Sequence, residues 1–139
     1  MTGPASANYE EIEHTADWAL KVWGRDLPAL FANAALGMME LAGVRTGDDR
    51  GLARQIEIQA IDTESLLVDW LHELLLALEL EHMAFSEMEL EITDGRTLAG
   101  TLRAVPIVKL EKPIKAVTYN ELQIQESPEG LKATIVFDV

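Results

Sequence analysis

The sequence predicts an α+β fold of two layers, with two long helices packed on one face of a mostly antiparallel sheet. Two observations carry this. Two segments place apolar residues at three- and four-residue steps, while the C-terminal half alternates with a period of two around hairpin-type turns. The order is strand, helix, strand, helix, then a run of strands.

Residues 9–12 read as a short edge strand. Residues 18–24 follow as a strand with Trp18, Leu20 and Val22 on one face and Ala19, Lys21 and Trp23 on the other. Asp26-Leu27-Pro28 announces the first helix: Asp26 can cap it, and a proline just inside a helix start wastes no hydrogen bond. Leu30, Phe31, Ala34, Ala35, Met38 and Leu41 form one apolar face, and Gly43 stands where a left-handed C-cap belongs. Residues 46–50 are a polar loop. Residues 52–60 alternate, with Ile56 and Ile58 on one side and Gln55, Glu57 and Gln59 on the other.

Thr63 is the expected cap of the second helix, with Glu64 near the positive end of its dipole. Leu67, Trp70, Leu71, Leu74, Leu75 and Leu78 make a wide stripe that a sheet would cover. Residues 85–93 and 96–105 flank Asp94-Gly95, a favoured two-residue hairpin turn. Residues 114–125 and 131–139 flank Ser127-Pro128-Glu129-Gly130.

A length of 139 residues suits one domain, assigned to residues 9–139 behind a mobile tail of residues 1–8. With 48% hydrophobic residues a substantial core can form. A net charge of −13 makes the chain a poor ligand for the nucleic-acid phosphate backbone, so no direct nucleic-acid binding is expected. That charge suits a basic protein partner, cations, or plain solubility. The absence of cysteine excludes disulfides, thiolate metal sites and a Cys nucleophile, and fits a cytoplasmic location. The first residues lack the basic and apolar regions of a secretory signal. Residues 66–80, the longest apolar stretch, are interrupted by Asp69, His72, Glu73 and Glu79, so no membrane span is expected.

Glu13-His14-Thr15-Ala16-Asp17 packs titratable groups between two apolar strands, a place for a site or for a turn that satisfies its own backbone. At the other end Asp138 precedes Val139. If residues 133–137 are held in a sheet, the Asp138 and terminal carboxylates sit side by side and favour a hard cation, Ca²⁺ or Mg²⁺ rather than zinc; a solvated end is the plainer reading. Lys115, among Ile114, Ala116 and Val117, could position an anion or guard a strand edge against aggregation. His72 falls at the margin of the second apolar stripe, and His82 near a helix end where a cation suits the dipole. There is no phosphate loop, no nucleophile elbow and no HExxH. Trp18, Trp23 and Trp70 are not accompanied by basic residues in a nucleic-acid pattern.

These segments resemble the archease family. His14-Thr15-Ala16-Asp17 is similar to its His-Thr-Ala-Asp signature, and residues 64–75 to its leucine-rich second helix. Ile114-Lys115-Ala116-Val117-Thr118-Tyr119 resembles its lysine motif, and Asp138-Val139 its ending. Two places depart from the pattern: residues 103–113 are short and apolar, and Asn120 stands where the family has His. The resemblance implies a protein cofactor, not itself a catalyst, that promotes guanylylation and turnover of the GTP-dependent RNA ligase of tRNA splicing. It implies calcium or magnesium held by Asp17, Asp138 and the Val139 carboxylate, a functional lysine at Lys115, and supporting roles for His14 and Thr15. Two other functions fit the residues: a small metal-assisted phosphohydrolase, and a general chaperone or interaction module with a structural cation.

Overall fold

The computed structural model describes residues 8–13 and 18–139. The expected tail, apart from Asn8, lies outside the described residues. Strands β1 (Tyr9–Glu13) and β2 (Trp18–Gly24) pair antiparallel, Tyr9 opposite Val22 and Glu13 opposite Trp18. Leu20 and Val22 are buried while Lys21 is exposed, as a half-covered strand requires.

Helix α1 (Leu27–Leu41) starts as its sequence dictates. Asp26 is extended, and its Oδ1 accepts the Ala29 amide at 3.0 Å. At the far end Gly43 takes φ +67° and donates its N–H to the Glu40 carbonyl at 3.0 Å. Helix α2 (Thr63–Leu76) is capped one residue earlier than expected. Asp62 is extended at φ −148°, and its Oδ1 accepts the Ser65 amide at 2.8 Å, while Thr63 is already helical. That backbone hydrogen bond holds the Asp62 carboxyl below the usual carboxylate range. After Leu76 the helix continues as a π-helical turn, Ala77–Glu81, and stops at His82 in the left-handed conformation, φ 57°.

The remaining strands are β3 (Val44–Thr46), β4 (Leu52–Gln59), β5 (Met83–Thr93), β6 (Thr97–Leu110), β7 (Ala116–Thr118), β8 (Gln125–Ser127) and β9 (Gly130–Asp138). All pairings are antiparallel. Asp94 and Gly95 take φ of 55° and 67°, the two left-handed residues of a tight hairpin turn.

The strands divide into two sheets where the sequence suggested one. The first runs β1-β2-β9-β7, with β8 also on β9; in the second, β6 pairs with β3, β4 and β5. β6 is longer than expected because it continues through Pro106. Proline lacks the donor, but the next amide, Ile107, donates to the His82 carbonyl at 2.9 Å, and β3 pairs beyond it. The expected strand over 114–125 is broken in two. Thr118 Oγ1 accepts the Asn120 amide, Glu121 adopts φ 56°, and the Leu122 amide bonds the Tyr119 carbonyl, so the chain turns between β7 and β8.

Each helix touches both sheets: α1 packs on β1, β2, β3, β5 and β9, and α2 on β4 and β7. This explains why burial on α1 exceeds a single stripe, with Gly37 and Met39 buried as well. Gly37 is where α1 seats on the first sheet: a Cβ there would come within 2.6 Å of Leu20 Cδ2 and 2.9 Å of Tyr9 Cγ. At the centre, fully buried Trp70 donates its Nε1–H to the Phe31 carbonyl at 2.9 Å, tying α2 to α1. α2 also reaches the first sheet through a polar contact. His72 Nε2 accepts the Val117 amide at 3.1 Å, which puts a lone pair on that nitrogen.

Three measurements check this description. Trp70→Phe removes both the helix-to-helix hydrogen bond and part of the packing, and should lower unfolding free energy by about 2 kcal/mol in urea denaturation. His72→Leu should speed hydrogen exchange at the Val117 amide while leaving that of Phe137 slow. Because Asp62 is depressed in the folded state, its stabilisation is present above the unfolded-state pKa of about 3.9 and lost as pH falls through the folded value. Asp62→Ala should therefore be less stable than the parent at neutral pH, and the gap should close on acidification to about pH 2.

Candidate functional site

The candidate site lies at the end of β9. Ile135, Val136 and Phe137 of this strand are all buried, Ile135 and Phe137 in the main core, and Asp138 is exposed. Pairing fixes what surrounds it. Trp18, the first residue of β2, stands opposite Phe137, and Val117 stands opposite Phe137 on the other edge. Ala116 is the partner of Asp138, and the Lys115 amide donates to the Asp138 carbonyl at 2.8 Å. The main chain of the lysine segment is thus bonded directly to the penultimate residue. The Lys115 side chain is exposed and makes no ion pair with a described residue. Lys112 adds a second cation nearby, its Nζ 4.4 Å from the centroid of the Trp18 ring, an attractive contact with the ring face.

The structure therefore brings together two of the sequence-predicted pieces, Lys115 and the Asp138-Val139 end. The third piece, His14, Thr15 and Asp17, lies outside the described residues. Among the described residues no group of three or more His, Cys, Asp or Glu is arranged to hold a metal ion. The exposed Asp138 side chain carries a carboxylate at this end of the strand.

His72 is the residue that sequence reasoning undervalued. Its place at the margin of the apolar stripe is as expected, and it is half-buried, but from there it anchors β7, the strand beside Lys115. Glu64, two turns earlier, accepts the Ile124 amide at 3.1 Å and fastens the turn beyond β7. The signal was there: Glu64 and His72 fall at i and i+8 around buried Val68, polar groups edging an apolar face. His82 closes α2 and accepts the Ile107 amide through its carbonyl. Of the two departures noted in the sequence, residues 103–110 lie in β6 and Asn120 lies in the turn after β7. Among the described residues no helix is long and apolar enough to cross a membrane.

The sequence model of the Archease protein family (MTH1598/TM1083) matches residues 9–139. A protein archease of Methanosarcina acetivorans is 36% identical over 140 residues, covering 94% of this chain and 95% of the relative. That of Archaeoglobus fulgidus is 34% identical, covering 94% and 98%. The crystal structure of a Thermotoga maritima archease, described as a possible chaperone, superposes with a TM-score of 0.69 at 27% identity, covering 94% of this chain and 96% of that one. The solution structure of Methanobacterium thermoautotrophicum protein 1598 gives a TM-score of 0.72 at 29% identity, covering 96% and 99%. Family match, relatives and folds agree over the same span, and the chain belongs to the archease family.

Proposed function

We propose that the chain is a divalent-cation-binding accessory protein that promotes guanylylation and multiple turnover of a GTP-dependent RNA ligase, acting in tRNA splicing or RNA repair. Asp17, Asp138 and the Val139 carboxylate hold Ca²⁺ or Mg²⁺, Lys115 meets a phosphate or an acidic group of the partner, and His14 and Thr15 orient the ligands.

One observation carries the reading. β2 begins one residue after Asp17 in the sequence, and its first residue, Trp18, is paired with Phe137, one residue before Asp138. The donor chemistry fits: carboxylate oxygens without sulfur or a described imidazole suit a hard cation. The cation, when bound, neutralises the neighbouring carboxylates and polarises a phosphate oxygen. The chain's own part is positional. The β7–β9 pairing holds the Asp138 backbone, His72 holds β7, and the Lys115 amide is bonded to the Asp138 carbonyl, with the Lys115 side chain exposed.

A second reading has one observation in its favour, the description of the Thermotoga relative as a possible chaperone. In that case the exposed apolar residues Leu52, Ile61, Leu80 and Val108 would meet client proteins.

Reconstitution separates the two. Purified ligase, GTP and RNA ends are combined with this protein, with and without divalent cation. Asp17→Ala, Asp138→Ala and a one-residue C-terminal extension should each lower multiple turnover by more than about tenfold and weaken Ca²⁺ binding in calorimetry, with the fold intact. An extended chain that still binds the cation and stimulates the ligase removes the site assignment. Protection of unrelated unfolded proteins from aggregation, undiminished by Asp138→Ala, would instead support the chaperone reading.

A further inference from the structure

The first sheet carries a second concavity that shares no residue with the carboxylate end. β7 pairs with residues 136–138 of β9 and β8 with residues 130–132, so no strand covers residues 133–135 on that edge. The turn between β7 and β8 bows away and leaves a cavity of about 400 Å³, lined by Lys21, Trp23, Glu121, Gln123, Lys132 and Thr134 among others. Its size suits a small organic ligand.

The lining is chemically specific. Trp23 is half-buried but stands apart from the main core cluster, unlike Trp70 in it and Trp18 against it. Cross-strand pairing sets Trp23 opposite Lys132 and Lys21 opposite Thr134, all on the face turned away from that core. Lys21 and Lys132 are exposed and form no ion pair with a described side chain, although the chain has 24 acidic residues to 11 basic ones. Gln123 and Gln125 are linked by one hydrogen bond of 3.2 Å, which leaves each amide a free function. Strand alternation adds the backbone: residues 134 and 138 direct their peptide groups to the same edge, and at Thr134 no strand receives them.

An aromatic face, two ammonium groups, amide donors and acceptors and a carboxylate call for a planar heteroaromatic ring bearing an anionic group. We propose that this cavity binds a small nucleoside phosphate, with the base on the Trp23 indole, the phosphate between Lys21 and Lys132, and the base edge read by Gln123, Gln125 and Glu121. The net charge of −13 opposes a long phosphate chain, so the fit is to a single nucleotide, free or at a strand end.

The test is a titration of the full chain with AMP, adenosine and inorganic phosphate, followed by the Trp23 indole N–H resonance in NMR, assigned with Trp23→Phe. AMP should give saturable shifts at Trp23 and at the Thr134 amide, with adenosine and phosphate each at least about tenfold weaker. Lys21→Ala and Lys132→Ala should each weaken AMP by about tenfold while the buried Trp70 indole signal is unchanged, which shows that the variants are folded. A pentaribonucleotide ending in the same phosphorylated adenosine tells the sources apart: affinity equal to that of AMP assigns strand ends as well, and much weaker binding assigns the free nucleotide. No saturable shift at Trp23, or AMP binding unaltered in both lysine variants, overturns the proposal.

Discussion

The double-edged pairing of β9 is the constraint on which the rest of the molecule depends. β2 occupies one edge of this strand and β7 and β8 the other. Its inward residues, Ile135 and Phe137, are fully buried. A slip of one residue would take Phe137 out of the core and turn Asp138 towards it, so the hydrophobic term locks the register that the candidate site inherits. The position of Asp138 relative to Trp18 and Lys115 is thus a consequence of core packing more than of any local polar contact.

The same strand explains why the first sheet offers two different chemical surfaces. Where β7 pairs, the edge of β9 is sealed and the Lys115 amide is spent on the Asp138 carbonyl. Where the chain turns at Asn120 and Glu121, the edge is open and a cavity forms. α2 stabilises this arrangement from the other side with two polar side chains, His72 on the Val117 amide and Glu64 on the Ile124 amide. Both satisfy backbone donors that an interrupted strand would otherwise leave without partners.

How much of this could be read in the sequence depended on range. Asp26 with Pro28, Gly43, and Asp94-Gly95 act within a few residues, and each does in the fold what its chemistry dictates. The cap at Asp62 was misplaced by one residue because two adjacent oxygen-bearing side chains compete, and only the extended backbone of Asp62 settles which one reaches Ser65. The apolar alternation through Leu122 and Ile124 imitated a continuous strand, since both are half-buried in the turn region as they would be in a sheet. The division into two sheets left no local trace, because pairing partners such as Leu20 and Ile135 lie far apart in the chain. Lys115, Asp138 and Val139 stand out in the sequence as candidates by residue type and by a family resemblance, whereas the contact of His72 with the Val117 amide exists only in the folded chain, since nothing in a helix names the strand its side chain will meet.

Charge placement follows from the same topology. On the second sheet, Glu57 and Glu91 flank Ala99, while Gln55 and Glu89 flank Thr101, so one face collects carboxylates around small residues. Around the first sheet, Lys21 and Lys132 line the cavity, Lys112 lies on Trp18, and Lys115, bonded to Asp138 through its main chain, has an exposed side chain. A chain whose total charge repels polyanions can therefore still present cations at chosen points, because field strength within a few ångströms is set by the nearest groups and distant charges are screened beyond about 8–10 Å. Alternation along β2 and β9 is what keeps Lys21 and Lys132 out of the core and on the same face as Trp23.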